Sequence, residues 1–288
     1  MHLSFSSFVV VALCGQTPTS TYQTTNFVIY ADAPEIAKLV GESAERSRKD
    51  LGKLWLGKEP PAWAAPCRIR VSLNMGRVEG FTDLSFAEGK VRAQKIAILG
   101  PLDRVLKGLL PHELTHVLFA HHFGVQPPRW ADEGGAILSE DQHQEERQSK
   151  MFRKMLAEER SFSLRRLLEM RQYPDDVACL YAQGHSISRF LVDVKGRKVF
   201  LAFVAEGLER GWDDAIQDRY GFESVEQLET AWLGWVEKRS EPGSALRNGK
   251  SRTATATSFV DSGKSFEEIS PQKRRALSFY SHLSNIPY

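Results

Sequence analysis

The sequence predicts an α+β fold in which a small β-sheet is followed by a mainly helical part. Short apolar segments bounded by turn residues dominate the first 100 residues, whereas helical spacing of apolar residues dominates from Arg104 to Lys238. The hydrophobic fraction of 42% and the charged fraction of 26% are those of an ordinary globular protein. A chain of 288 residues can bury the core of one large domain or two small ones.

The first elements are two strands separated by a long helix. Asn26 to Ala31 is strand-like, and Pro34 begins a helix that runs to about Leu54. A proline-rich loop follows at residues 57–66. Cys67 to Leu73 alternates apolar and polar residues, which predicts a half-buried strand.

A hairpin is predicted next, with Glu88-Gly89 as the turn between strands at Gly80 to Ser85 and Lys90 to Leu99. The second of these strands is either internal or an edge to which an extended peptide adds as a further strand. The sequence leaves both alternatives open.

The helical part begins with the motif helix after Arg104, and seven further helical segments are predicted to follow it. They are Arg129 to about Asp141, Glu145 to Glu159, Leu164 to Gln172, Asp176 to Val194, Gly196 to Gly207, Trp212 to Tyr220 and Ser224 to Val236.

The two ends of the chain are predicted to lie outside the folded domain, which spans residues 26–238. Residues 1–25 are either a signal segment or a flexible lead-in: the apolar run Phe5 to Gly15 has the length of a secretory signal, but no Lys or Arg precedes it. If residues 1–20 act as a signal, the protein is expected to be secreted or periplasmic, and otherwise cytoplasmic. Residues 239–288 are rich in Ser, Thr, Gly, Lys and Arg, which predicts a disordered basic tail.

The charge balance gives no indication of polyanion binding. The tail from Arg239 to Tyr288 has eight Lys or Arg and four Asp or Glu, which gives it a charge of +4. Because the whole chain has a net charge of +2, residues 1–238 have a net charge of −2. A slightly acidic body offers no field for nucleic acid. The Phe5 to Gly15 run is too short to span a bilayer, so we expect no stable membrane insertion. Oligomeric state is not indicated.

The most informative feature is His112-Glu113-Leu114-Thr115-His116. On an α-helix, residues four apart share one face, so His112 and His116 can bind one metal ion with Glu113 beside the water that the ion activates. The alternative is a buried helix with two hydrogen-bonded histidines.

A third ligand is expected from Trp130-Ala131-Asp132-Glu133-Gly134-Gly135-Ala136, where Glu133 follows His116 by seventeen residues. Asp132 and Glu133 point about 100° apart on a helix, so one of them faces the site. Glu133 is favoured because small residues follow it and let helices approach closely. Asp132 would then hydrogen-bond a ligand imidazole.

These two segments resemble the gluzincin metallopeptidases, and more closely the peptidase-MA-like domains. In those families the Glu of a Trp-x-x-Glu-Gly element is the third metal ligand, which corresponds to Glu133. Tyr181-Ala182-Gln183-Gly184-His185-Ser186 is similar to their next helix, and the segments around Trp212 and Trp232 are similar to their closing helices. The resemblance covers roughly Asn26 to Trp235.

The resemblance implies a zincin-like fold, with a small mixed sheet packed on the motif helix and a mainly helical C-terminal lobe beginning at about residue 125. It also implies Zn²⁺ as the cofactor and a peptide or protein substrate. No Gly-x-Met-x-Asn exopeptidase signature is present, so an N-terminal exopeptidase activity is not indicated.

The mechanism assigns a role to each site residue. His112, His116 and Glu133 would hold Zn²⁺ with one coordination position open, and Glu113 would act as the general base. Tyr181 is the first candidate for the oxyanion donor, with a core aromatic as the alternative, and His185 is the second candidate. A catalytically silent binding module that keeps the fold is the alternative function.

Several remaining polar residues are given ordinary structural roles. His121 and His122 are expected to be surface or helix-end cations, and Glu140, seven residues after Glu133, is expected to be solvated in preference to supporting the site. The cysteines show no metal-ligand spacing, so Cys67 and Cys179 are expected to be buried free thiols in preference to a disulfide.

Overall fold

The structure is a computed structural model that describes residues 20–239. The predictions for the apolar run Phe5 to Gly15 and for the tail after Arg239 lie outside these residues. The described chain divides into two compact units, one of residues 20–126 with 139–141 and one of residues 127–138 with 142–239. The first contains a five-stranded mixed sheet and the second is helical, which confirms the predicted α+β class.

The strands of the first unit are β1 to β5 in chain order. Their bounds are Ser20–Gln23, Phe27–Ala31, Cys67–Leu73, Glu79–Ala87 and Lys90–Gly100. In the sheet they follow the order β1-β2-β3-β5-β4, and β2-β3 and β3-β5 are parallel pairs while both outer pairs are antiparallel. The segment at Lys90 to Leu99 is therefore an internal strand, and β4 is the edge strand beside it.

The helical elements of the described residues are numbered in chain order. The first unit contains α1 (Pro34–Leu56), α2 (Leu102–Arg104) and α3 (Leu110–Phe123), with a π-helical turn at Val105–Leu109. The second contains α4 (Arg129–Ile137), α5 (Gln142–Ala157), α6 (Leu164–Leu168), α7 (Val177–Lys195), α8 (Arg197–Glu209), α9 (Trp212–Tyr220) and α10 (Val225–Lys238).

Strand β1 corrects the prediction of a flexible lead-in up to residue 25. Ser20–Gln23 pairs antiparallel with β2, from Ser20 opposite Ala31 to Gln23 opposite Val28. The Tyr22 ring also covers Gly41 of α1, since a Cβ built on Gly41 would lie 2.7 Å from Tyr22 Cδ1. Tertiary pairing thus orders a segment whose polar composition gives no strand pattern.

The β4–β5 hairpin has the predicted turn. Glu88 and Gly89 both adopt left-handed backbone conformations, with φ of 55° and 67°. Two positive φ values in a two-residue loop match the right-handed twist of the strands that the loop joins. The turn pairs Ala87 with Lys90, and beyond a register shift between Ser85 and Phe86, Thr82 lies opposite Ile96.

The core of the first unit lies between the sheet and two helices. α1 packs on β1 and β2, α3 packs on β4 and β5, and the two helices contact each other. The side chains that fill this space are fully buried and apolar, including Ile29, Ile69, Ile98, Val40, Trp55 and Phe119. This packing places one face of α3 against the edge of the sheet that ends in β4.

Helix α4 ends at Ile137, earlier than the predicted Asp141, because the residues after it belong to the first unit. Trp55 Nε1 donates to Ser139 Oγ over 2.9 Å, and Arg104 Nη1 lies 3.2 Å from Asp141 Oδ2. These side-chain contacts join residues 139–141 to the first unit.

In the second unit, α4 packs closely on α7. A Cβ on Gly134 would lie 2.3 Å from Ser188 Oγ and 2.4 Å from the Gly184 carbonyl oxygen. The expectation that the glycines after Glu133 allow close helix approach is therefore confirmed. On the same helix, the buried Trp130 ring packs against Phe200, Phe203 and Trp212.

No helix within residues 20–239 is long and apolar enough to cross a membrane.

Candidate metal centre

Helix α3 presents the three residues of the motif from its first two turns. Pro111 lies in the first turn of α3, directly after the π-helical turn at Val105–Leu109, and Gly124 ends the helix with φ of 70°. His112, Glu113 and His116 are all buried, and the centroids of the two imidazole rings are 4.9 Å apart. The helical spacing that the sequence predicted therefore brings both imidazoles together.

His112 is held by a carboxylate. Glu140 Oε1 lies 2.9 Å from His112 Nδ1, and the Glu140 side chain is only 1% exposed. The expectation of a solvated Glu140 is wrong, because the chain after α4 turns this residue into the first unit. A carboxylate on Nδ1 favours the tautomer with the proton there, which leaves Nε2 as the nitrogen able to bind a metal.

Glu113 is held from the edge strand. Thr82 of β4 donates its hydroxyl to Glu113 Oε2 over 2.5 Å, and the same hydroxyl lies 3.3 Å from the Glu113 carbonyl oxygen. Thr82 is itself buried. Sequence reasoning missed this residue, because nothing in the alternation of a strand indicates which helix residue it will face.

Glu133 of α4 is held by a tyrosine that the sequence did not indicate. The buried Tyr173 donates its hydroxyl to Glu133 Oε1 over 2.5 Å, and the Arg129 guanidinium lies 4.6 Å from the centre of the Tyr173 ring. Burial, followed by the negative charge of Glu133, raises the pKa of Tyr173 well above its ordinary value, so the phenol remains a neutral donor. Tyr173 lies between helices, where no periodicity singles it out.

Asp132 is buried, with its Oδ2 atom 3.9 Å from Arg129 Nη1. An ion pair with a buried arginine accounts for the burial of its charge. Its expected hydrogen bond to a ligand imidazole stays a prediction.

One atom from each of His112, His116 and Glu133 can serve as a ligand, and these three atoms all lie within 4.8 Å of one another. All three side chains are buried. Within residues 20–239 no other group of His, Cys, Asp or Glu side chains meets this condition. Two imidazoles and one carboxylate form a donor set that suits a divalent metal ion and is known from catalytic zinc sites. The residues therefore fit a metal, and they are the ones that the sequence selected.

The two candidates for the oxyanion donor lie on α7, and both are buried. Tyr181 lies close enough to Arg129 to affect its electrostatics. His185 Nε2 is 3.6 Å from Glu145 Oε2, and Glu145 also accepts a hydrogen bond from Arg189 over 2.8 Å. The role of either residue in stabilising an oxyanion stays a prediction.

His121 corrects the expectation of a helix-end cation. Its Nε2 atom lies 2.7 Å from Gln94 Oε1, and its ring stacks on Trp63 with centroids 5.1 Å apart. Burial, with a smaller contribution from the Arg48 charge, lowers the pKa of His121 to about 4. The imidazole is therefore neutral at physiological pH, because it packs on the first unit and does not extend into solvent.

Cys67 and Cys179 are free, buried thiols, as expected. Burial raises the pKa of Cys179 to about 11 and that of Cys67 further, so neither is a thiolate at neutral pH.

Comparison of the chain with protein-family models and with curated protein sequences finds no match in either case.

Proposed function

We propose that the protein is a zinc-dependent metallopeptidase with a zincin-like fold. The observation that carries the proposal is the buried group of His112, His116 and Glu133, with Glu113 on the same helix turn. A structural zinc site has four protein ligands, whereas this group has three, and three ligands leave one position for substrate or water.

Zn²⁺ in this group would polarise the carbonyl of a peptide bond and make the attacking water more acidic. Glu113 accepts a proton from that water as the water oxygen bonds to the carbonyl carbon. When the C–N bond breaks, Glu113 returns the proton to the leaving amine nitrogen. Glu140 keeps His112 in the tautomer that carries its proton on Nδ1, and Tyr173 fixes the orientation of Glu133.

An extended peptide is the substrate that the first unit suits best. Within residues 20–239, β4 is one of the two edge strands of the sheet, and its Thr82 contacts Glu113. A peptide that pairs with the backbone of β4 would run past the general base. The peptide-binding edge that the sequence analysis considered for β5 is therefore assigned to β4 in this proposal.

The test is metal analysis combined with hydrolysis of a quenched-fluorescence peptide library by the wild type and Glu113→Gln. We expect about one zinc per chain in both proteins, and turnover in Glu113→Gln reduced at least about hundredfold. Equal cleavage by both proteins would remove Glu113 from the mechanism. Zinc binding without cleavage by the wild type would favour the silent binding module.

The same assay assigns the remaining residues. Glu133→Ala should release zinc and Asp132→Asn should retain it, and the opposite result would exchange their roles. Tyr181→Phe should keep zinc and lose turnover if its hydroxyl stabilises the oxyanion. Unchanged turnover would make Tyr181 a core residue.

A further inference from the structure

We propose that Thr82 is a positioning residue which, together with Gly80, fixes the carboxylate of Glu113 and leaves Oε1 as the proton-accepting oxygen. The proposal rests on the peptidase function proposed above, because it assigns a task to the surroundings of the general base. Both residues belong to β4, and the spacing of two places them on the same face of that strand, toward α3.

The hydrogen bond from Thr82 binds one oxygen of the base. At 2.5 Å, the contact from Thr82 Oγ1 to Glu113 Oε2 has the length of a hydroxyl donating to a charged carboxylate, which is among the stronger hydrogen bonds in proteins. A hydroxyl has one proton, so Thr82 cannot hold both oxygens of Glu113. Within residues 20–239 no hydrogen bond to Glu113 Oε1 is found.

Gly80 leaves the space that the other oxygen occupies. A Cβ built on Gly80 would lie 2.2 Å from Glu113 Oε1 and 3.0 Å from its Cδ. A Cβ atom does not approach another heavy atom to 2.2 Å, so any side chain at position 80 would displace the carboxylate. The backbone of Gly80 needs no positive φ, which makes the requirement steric.

The two contacts matter because the last torsion of a glutamate is soft. Rotation of a carboxylate about its terminal bond has broad, roughly two-fold preferences, so an unsupported Glu113 would present either oxygen at variable angles. A general base must lie within hydrogen-bond reach of the proton it takes, and a displacement of about 1 Å can lower a rate about hundredfold. Thr82 removes this freedom by a contact from the same strand that is proposed to bind the peptide.

The experiment compares the wild type with Thr82→Val, which keeps the shape and removes the hydroxyl, and with Thr82→Ser, which restores it. Thr21→Val, on the exposed β1 position of the same sheet, is the matched control. For Thr82→Val we expect kcat to fall about tenfold to hundredfold while KM and zinc content stay unchanged. Thr82→Ser should recover most of kcat, and Thr21→Val should match the wild type.

Gly80→Ala tests the second contact, with Gly76→Ala as its control, since a Cβ on Gly76 would approach nothing closer than 3.7 Å. We expect Gly80→Ala to lose at least as much kcat as Thr82→Val, with zinc retained, and Gly76→Ala to be unaffected. Zinc analysis and circular dichroism of each variant verify that metal and fold are intact.

Crystal structures of zinc-loaded wild type, Thr82→Val and Thr82→Ser give a readout that does not depend on activity. The Glu113 carboxylate should keep one orientation in the wild type and Thr82→Ser, and should turn or split between orientations in Thr82→Val. An unmoved carboxylate in Thr82→Val would overturn the proposal, as would undiminished kcat in that variant. A carboxylate that moves in a protein without any peptidase activity would refute the proposed function and leave the positioning role standing.

Discussion

Tyr173→Phe removes one hydroxyl and leaves the ring that packs beneath Arg129. In the wild type this hydroxyl donates over 2.5 Å to Glu133 Oε1, and both side chains are buried. A hydrogen bond to a charged group contributes about 1.5 to 3 kcal/mol to stability, so the metal-free variant should unfold more easily by this amount. Its effect on zinc binding is separate, because Glu133 then loses the hydroxyl that donates to its carboxylate.

Loss of a residue that orients a metal ligand typically lowers affinity about tenfold to hundredfold, which is about 1.4 to 2.8 kcal/mol. In Tyr173→Phe we therefore expect the Kd for zinc to rise by this factor, as measured by competition with a chromophoric chelator. In EDTA, the urea concentration at the midpoint of unfolding should be lower than that of the wild type. Tyr220→Phe is the matched control: Tyr220 is also buried in the second unit, but its hydroxyl donates to the carbonyl oxygen of Leu191 over 3.2 Å. It should lose stability and keep the wild-type Kd.

An unchanged or lower zinc Kd in Tyr173→Phe would refute this reasoning. It would mean that the phenol neutralises the charge of Glu133 more than it orients the carboxylate. If Tyr220→Phe and Tyr173→Phe raised the zinc Kd and lowered the stability equally, both changes would be explained by a general loss of packing in the second unit.

Two further predictions concern stability. Gly134→Ala should lower the free energy of unfolding by about 1 to 3 kcal/mol in urea titration, because its Cβ would lie 2.3 Å from Ser188 Oγ. Gly234→Ala is the control: its Cβ has no atom within 4 Å, so the free energy of unfolding should rise by about 0.5 to 1 kcal/mol. Equal effects of the two substitutions would contradict the role of packing at Gly134. Because folding lowers the pKa of His121 from 6.5 to about 4, the unfolded chain binds a proton in this window that the folded chain does not, so stability should fall as pH falls from 6.5 to 4. His121→Phe, which keeps a ring against Trp63, should show a smaller decline over the same window, and identical pH curves would contradict the assignment.

Much of the metal group was predictable because its geometry is local. A spacing of four on a helix brings His112 and His116 to one face whatever surrounds them, and Glu133 was favoured by the small residues that follow it. The Glu88-Gly89 turn was predictable for the same reason, since its backbone conformation depends on two adjacent residues.

The contacts that support these residues depended on distant parts of the chain. The residues in each of these hydrogen bonds are far apart in the sequence: 31 positions for Thr82 and Glu113, 28 for Glu140 and His112, and 40 for Tyr173 and Glu133. Strand register and the path of the loops determine which of these side chains come into contact, and neither produces a periodic pattern in the sequence.

The sequence by itself determined the candidate metal-binding residues, their spacing and the α+β class, because side-chain chemistry and helical periodicity act within a few residues. The tertiary structure alone decided that β5 is internal and β4 is the edge, that Ser20–Gln23 is a strand, and that Glu140 is buried on His112. The position of β5 beside β3 and that of Glu140 on His112 are pairings between distant segments, whereas Ser20–Gln23 pairs with the next strand, β2. In each case the free energy of the pairing exists only when both partners are folded together.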